Sequence, residues 1–397
     1  MQRTLFLYFF VVLCYSPRIL KAQTSHTTDS THLTQNKTEQ KSFVKKITDL
    51  LAFQNKAEKT QDSIRFRSKL VLSPGLTYSP VTSWGVGTGI NWNFRFKNIS
   101  SSTRTSNAGN MIAYTLRNQF IIGSRYTIFT NHENYMIRGN SRYSKFLQSY
   151  FGIGISSRKE DEEIIDYQNI RSSNILYKKI FGQFFLGVGF RYRNIWNIKY
   201  NKEGLIDMEK PFGYKGSVAI GWQLGAILDS RDNILNCFKG VFYNFRYVNH
   251  QKIGGSIPFR TLQMDMRHYF KLSERNDILA FQAFGIFNSQ TTPLLELAPL
   301  GGNELMRGYI QGRFIDNNVI ATQAEYRFPI LEPIGMVIFG SIGQVYNSVS
   351  ELNLSNLKTG YGAGIRFQLS KAERLNLRFD IAKGDNLNFY FGVAEAF

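Results

Sequence analysis

The chain has 397 residues and carries 48 Lys and Arg against 29 Asp and Glu, a formal net charge of +19. Hydrophobic residues make up 43% and aromatic residues 15%, which excludes a disordered chain, and 19% of charged residues is low for a helical cytosolic enzyme. Of the two cysteines, Cys14 falls within a predicted signal peptide, so one thiol remains and no internal disulfide can form. The five histidines show no metal-ligand spacing, and we expect neither a metal nor a cofactor.

The N-terminus has the pattern of an exported protein. Arg3 precedes an apolar run from Leu5 to Tyr15, and a small-residue cleavage site follows at Ala22. We predict a signal peptide over residues 1–22. Residues 23–67 are polar and rich in Thr, Gln, Ser and Lys, which predicts a flexible periplasmic leader with one short amphipathic helix.

From about residue 68 onward, polar and apolar side chains alternate. For example, Glu325 and Arg327 alternate with Ala324, Tyr326 and Phe328. Period-two alternation predicts strands with two different faces. A soluble β-sandwich would alternate in the same way, with its apolar face inward. Long strands with charges on their polar face favour a barrel with a wet lumen, because a charge facing lipid costs about 2–4 kcal/mol near the bilayer midplane.

We therefore predict an all-β fold, a transmembrane antiparallel β-barrel of about 16 strands over residues 68–397. The predicted fifth strand spans 147–157, the sixth spans 172–181 and the last spans 387–397. The even number of strands predicts that both barrel termini lie in the periplasm of a bacterial outer membrane.

The longest connection between strands, 290–317, then lies on the extracellular side between the eleventh and twelfth strands. A barrel of this size encloses a channel unless something fills it. We expect this long surface loop to fold inward and to fill part of the lumen.

The same connection contains the strongest local motif. It reads Leu300-Gly301-Gly302-Asn303-Glu304-Leu305-Met306-Arg307-Gly308-Tyr309. This resembles the sixth surface loop of the BamA/TamA superfamily of outer-membrane assembly proteins, also called bacterial surface antigens. In that family an Arg-Gly-Tyr or Arg-Gly-Phe tip folds back into the barrel, which implies a loop-locking role for Arg307, Gly308 and Tyr309. Gly301 and Gly302 would permit the tight turns that such a tip needs.

Two features depart from the family pattern. Ser341 stands where the family's thirteenth strand usually carries an acid. The predicted leader is also too short to hold one of the periplasmic repeat domains with which the family's insertases bind clients. Both departures weaken a direct transfer of insertase function.

The physical chemistry of Arg307 leads to the same expectation without the family. A guanidinium inside a barrel must find acceptors, because a buried unpaired charge is expensive. By the alternation of their strands, Glu325 and Asp380 point into the lumen. We predict that Arg307 pairs with one or both of them; the alternative is a solvated loop arginine.

The resemblance implies a factor that assists insertion or export of outer-membrane proteins through a weak seam between the first and last strands. Phe389, Phe391 and Phe397 are the residues we expect at this seam. Unfolded clients would pair with its edge by β-augmentation, and no chemical step is needed, so we do not expect an enzyme.

Two other functions stay open at this point. One is a passive pore or structural surface antigen without insertase activity. The other, more remote, is a barrel phospholipase with a Ser/His pair.

The net charge indicates contacts with outer-membrane lipid and lipopolysaccharide phosphate rather than nucleic acid, which export and the barrel pattern argue against. Further expected partners are unfolded outer-membrane proteins and a separate periplasmic protein.

Overall fold

The computed structural model describes residues 69–79, 83–97, 99–100, 103–289, 291–371 and 374–397. The predicted signal peptide and leader lie outside these residues. Within the described ranges, no helix is long and apolar enough to cross a membrane.

Among the described residues, sixteen strands form one antiparallel sheet in chain order, interrupted by a two-stranded hairpin that forms its own small sheet. The strands of the large sheet are β1 Lys69–Ser79, β2 Ser83–Phe94, β3 Ser106–Thr115, β4 Phe120–Phe129, β5 Tyr135–Tyr150, β6 Glu163–Phe181, β7 Phe184–Lys199, β8 Ser217–Asp229, β9 Gly240–Gln251, β10 Arg260–Lys271, β11 Ile278–Asn288, β14 Asn318–Leu331, β15 Ile334–Tyr346, β16 Lys358–Ser370, β17 Leu375–Lys383 and β18 Leu387–Val393. The hairpin consists of β12 Ala298–Leu300 and β13 Phe314–Asp316, and a short helix, α1, spans Leu205–Glu209.

Side chains along each strand alternate between a polar lumen and an apolar outer surface. On β14, Gln323, Glu325 and Arg327 are buried inside, whereas Ile338 and Ile342 of the neighbouring β15 are exposed on the outside. Keeping charges in the lumen avoids the cost of placing them in lipid. The predicted fold class, a transmembrane barrel of about 16 strands with the long loop folded inward, is confirmed.

The predicted spans of the fifth, sixth and last strands differ from the structure. The fifth strand is β5, at 135–150 rather than 147–157, and the sixth is β6, at 163–181 rather than 172–181. The outward face of β5 carries Ser141, which pairs with Ser172 of β6 through an Oγ–Oγ contact of 2.8 Å. Two serines that satisfy each other are tolerated on an apolar face, but they hide the alternation from the sequence.

The third difference concerns the last strand. We predicted 387–397, but β18 ends at Val393, and Ala394 then takes a positive φ of 68°. The chain turns inward there, so Phe397 is buried beside Cys237 and Tyr269 at the end of the barrel where the sheet begins and ends.

The two edges of the sheet approach each other without a shared ladder. Cα atoms of β1 and β18 come within 8 Å, yet no hydrogen-bonded pairing joins these two strands in the described part of the chain. At seven residues, β18 is also the shortest strand of the large sheet. Within the described residues, the sheet is therefore not closed by a hydrogen-bonded ladder between its first and last strands.

We predict that a charge on the outer face destabilises the barrel in a depth-dependent way. Leu224 lies near the middle of β8 and faces outward. Leu224→Arg should lower the free energy of unfolding in lipid vesicles by about 2–4 kcal/mol. Leu272 is equally apolar and exposed but lies in the turn after β10, so Leu272→Arg should cost at most about 1 kcal/mol. Equal losses, measured by denaturant titration, would contradict the assigned lipid-facing surface.

Candidate functional site: the loop tip inside the barrel

The connection between β11 and β14 folds into the lumen as a hairpin. Strands β12 and β13 pair from Ala298 opposite Asp316 to Leu300 opposite Phe314. Apolar side chains of this hairpin and its tip pack on the inner wall of β14 and β15. The members of this cluster are Ala298, Leu300, Met306, Tyr309 and Phe314 from the loop, and Val319, Ala321 and Val345 from the wall.

The tip of the loop turns through several left-handed residues. Gly301, Gly302 and Gly308 have φ values of 106°, 145° and 106°, and Met306 has a φ of 54°. The backbone N–H of Gly302 donates to the carbonyl of Tyr309 at 3.2 Å, which closes the turn. At the φ values above 100°, glycine is favoured because a Cβ atom would clash with the backbone.

The turn directs Arg307 into a site with two carboxylates. Its Nη1 donates to Asp380 Oδ2 of β17 at 2.5 Å, and its Nη2 donates to Glu325 Oε1 of β14. The guanidinium carbon also lies 3.5 Å from the ring centroid of Phe339 on β15. The side chain is 1% exposed, so this is a buried, charge-assisted contact between the loop and the wall. The structure thus brings Arg307, Glu325 and Asp380 together.

These carboxylates also belong to a wider network of wall arginines. Arg327 donates to the second oxygen of Glu325 at 2.8 Å, and Arg366 donates to the second oxygen of Asp380 at 2.6 Å. Arg366 reaches Glu395 at 2.7 Å as well. Burial alone would raise the pKa of Glu395, but Arg366 and Arg327 beside it hold that pKa below its usual value. Glu325, Asp380 and Glu395 therefore each lie within ion-pair distance of more than one arginine.

Gly308 joins the loop tip to the last strand of the barrel. Its backbone N–H donates to Tyr390 Oη of β18 at 2.9 Å, and its carbonyl accepts from Asn388 Nδ2 at 2.8 Å. A Cβ atom on Gly308 would lie 2.5 Å from the backbone of Lys383 and Gly384. The absence of a side chain lets the loop lie directly on the turn between β17 and β18.

Tyr309 and Arg313 complete the attachment. Tyr309 Oη donates to the carbonyl of Thr359 on β16 at 2.8 Å. Arg313 Nε donates to Asp385 at 2.5 Å, and its Nη2 donates to the carbonyl of Ser157 at 3.0 Å. The loop thus contacts every strand from β14 to β18.

Sequence reasoning missed several of these partners. Asn388, Tyr390 and Asp385 were not singled out, and their only sequence signal is polarity on the lumen side of the last strand and its turn. Gly360 was also missed: a Cβ atom there would lie 2.6 Å from the carbonyl oxygen of Arg307. Ser341, which stands where the family usually carries an acid, donates to the carbonyl of Gly360 at 3.1 Å. The acids that pair with Arg307 are Glu325 and Asp380 instead.

The three phenylalanines expected at the seam are found in two places. Phe389 and Phe391 lie on β18 with exposed side chains on the outer face. Phe397 lies beyond β18 inside the barrel, where its carbonyl accepts from Arg327 at 2.9 Å. Phe397 therefore lies away from the edge of β18, unlike Phe389 and Phe391.

Within the described ranges, no group of three His, Cys, Asp or Glu side chains is placed to hold a metal ion. The cations and carboxylates at the loop tip instead form ion pairs with one another.

Comparison with known proteins agrees with this architecture. The family model described as the Omp85 superfamily domain matches residues 87–397. No protein of curated function matches the sequence.

Solved structures with a similar fold include the BamA of Haemophilus ducreyi lacking POTRA domains 1–3, at a TM-score of 0.55 and 14% identity. The match covers 90% of this chain and 78% of that one. CdiB from Escherichia coli matches at a TM-score of 0.59 and 12% identity, over 81% of this chain and 62% of that one. CdiB from Acinetobacter baumannii matches at 0.51 and 11%, over 82% and 59%. The chain thus spans less than two thirds of either CdiB structure.

We predict that Gly308→Ala weakens the attachment of the loop more than Gly302→Ala does. Both glycines have a positive φ, but a Cβ atom on Gly302 would meet nothing closer than 3.8 Å. Gly308→Ala should therefore lower the free energy of unfolding by about 3 kcal/mol, against about 1 kcal/mol for the control. Thermal unfolding in detergent measures both losses. Equal losses would mean that Gly308 does not lie on the wall.

Proposed function

The chain belongs to the Omp85 superfamily, and from that premise we propose that it assists the insertion or export of outer-membrane proteins through the seam between β1 and β18. The observation that carries this proposal is the attachment of the loop tip to β18 while that strand has no ladder to β1 in the described residues.

An unpaired strand edge is normally a hazard, since its free N–H and C=O groups can pair with another chain. In this barrel such an edge is the working surface: an unfolded client strand adds to β18 or β1 by β-augmentation. Phe389 and Phe391 then present the outer face of the edge to lipid.

The role we assign to Arg307, Gly308 and Tyr309 is to keep the edge in position. Arg307 links β14 to β17 through Glu325 and Asp380, and Gly308 carries the link on to β18. A client strand needs a fixed template, because the loop-closure and ordering entropy of pairing is smaller against a rigid edge. Gly301 and Gly302 shape the turn that delivers this tip.

Pairing of a client strand with the edge forms no covalent bond, so we propose no enzymatic step. We place both barrel termini in the periplasm, where unfolded clients and a separate periplasmic protein would meet the barrel. Lipid and lipopolysaccharide phosphate are the proposed partners of basic residues at the rims. A passive pore is the less favoured function, because the hairpin of β12 and β13 fills part of the lumen.

The first test is an insertion assay in liposomes. The wild-type protein should speed the folding of an unfolded outer-membrane barrel relative to empty liposomes, and Arg307→Ala should abolish most of this gain. Removing one partner of a buried ion pair costs about 3–5 kcal/mol, so gel mobility with and without heating must first show that the variant is folded.

Arg267→Ala is the matched control for that assay. Arg267 is another lumen arginine and is paired with Asp265 at 2.7 Å, and no hydrogen bond or ion pair joins it to the described residues of the loop. The control should insert clients as the wild type does. If the wild type is no faster than empty liposomes, the assembly function is wrong for the barrel alone and the pore becomes the leading function.

A second test addresses the link between the loop and the edge strand. Tyr390→Phe removes the hydroxyl that accepts from Gly308, and hydrogen exchange of the β18 backbone should become at least fivefold faster. Tyr361 is exposed on the outer face of β16, so Tyr361→Phe should leave exchange in β18 unchanged. Unchanged exchange in Tyr390→Phe would show that the loop does not hold the edge.

A further inference from the structure

The opposite wall of the lumen carries a row of arginines; among the described residues, the inward loop pairs with two of them, Arg191 and Arg193. On adjacent strands, Arg142 of β5 lies directly opposite Arg171 of β6, and Arg171 lies directly opposite Arg193 of β7. Directly opposed residues of an antiparallel pair have Cα atoms about 4.5–5.5 Å apart, and like charges in this arrangement repel each other. Three guanidinium groups therefore crowd one face of three neighbouring strands.

A cavity of about 360 Å³ opens onto this wall. Six arginines line it, namely Arg125, Arg138, Arg171, Arg191, Arg193 and Arg246, and its lining includes no Asp or Glu among the described residues. This volume is at the lower end of the range of small-molecule sites. The cavity is thus a basic pocket of the size of a small, multiply charged anion.

Neighbouring carboxylates neutralise only part of the positive charge of the pocket. Glu296 of the inward loop pairs with Arg191 at 2.9 Å and with Arg193 at 3.3 Å. The next acids along the lumen are already engaged, since Asp229 pairs with Arg231 and Asp265 pairs with Arg267. In the described part of the chain, the remaining arginines of this wall form no ion pair; they are Arg125, Arg138, Arg142, Arg171 and Arg246.

Arginine N–H donors without a hydrogen-bond partner also favour a bound anion. The Nε atoms of Arg142 and Arg246 are buried without a hydrogen-bond partner in the structure. A buried donor without an acceptor costs about 1–3 kcal/mol. Arginine presents a planar fork of donors that fits the oxygens of a phosphate group in a bidentate way.

We propose that this pocket binds a multiply charged phosphate compound, whose oxygens separate and pair the opposed arginines. The shared chemistry is a cluster of phosphate oxyanions. It can come from a soluble polyphosphate-type molecule in the lumen or from the phosphorylated headgroup of a lipid. The site lies on β4 to β9, away from the loop tip, and its failure would leave the proposed assembly function untouched.

Tripolyphosphate is the probe for the first arm of the test, with the full-length protein in a neutral detergent. The thermal unfolding midpoint should rise saturably with tripolyphosphate, and sodium chloride of equal ionic strength should give no comparable rise. Arg171→Gln should weaken tripolyphosphate binding at least tenfold and should itself raise the midpoint without ligand, because it removes a repelling charge. Arg138→Lys, which keeps the charge and loses the fork, should also weaken binding.

Arg267→Gln serves as the control, since Arg267 is a lumen arginine outside the pocket, and it should retain wild-type affinity. The second arm adds micelles of a bisphosphorylated lipid or of the same lipid without phosphates. Displacement of tripolyphosphate by the phosphorylated lipid alone identifies the headgroup as a source, and no displacement identifies a soluble one. Equal affinity of Arg171→Gln and the wild type, or stronger competition by poly-glutamate than by phosphates, would overturn the proposal.

Discussion

A guanidinium that is 1% exposed needs carboxylates around it, and Arg307 takes them from two strands that are not neighbours. Between β14 and β17 lie β15, which offers the ring of Phe339, and β16, where Gly360 leaves room for the arginine's own carbonyl. The cost of burying this charge is offset only when the loop, the two acids and the small residues are all in place. This contact holds the loop tip beside β17, where Gly308 reaches β18 and Tyr309 reaches β16.

The lumen is electrostatically uneven. Along β14 to β17, acids and arginines alternate in space, so that Glu325 and Asp380 each bind two arginines. Along β5 to β7, arginines face each other across neighbouring strands. Part of the net charge of +19 therefore resides inside the barrel rather than at its rims. One inner wall is therefore basic while the opposite wall is largely neutralised, and this asymmetric potential attracts anions toward the basic wall.

Much of the barrel was predictable from local pattern. Glu325 and Asp380 were assigned to the lumen because a charged residue on a membrane strand has one acceptable face. The pairing of Arg307 with them follows because a guanidinium inside the barrel must find acceptors and both acids face the lumen. Three other partners of the loop were not predictable, because their contacts depend on the tertiary position of a long connection. They are Asn388, Tyr390 and Asp385. The arginine row was missed because β5 was placed about ten residues late, and register between distant strands is not encoded in any single strand.

The length of β18 has a consequence for the surrounding bilayer. At about 3.3 Å per residue and a tilt of about 45°, its seven residues reach roughly 16 Å along the membrane normal, whereas barrels of this kind usually present an apolar band about 25 Å tall. Such hydrophobic mismatch is relieved by local thinning of the bilayer or by side chains that reach toward the headgroups. Where thinning is the response, lipid beside the edge of β18 is compressed, and polar backbone groups then have less hydrocarbon to cross.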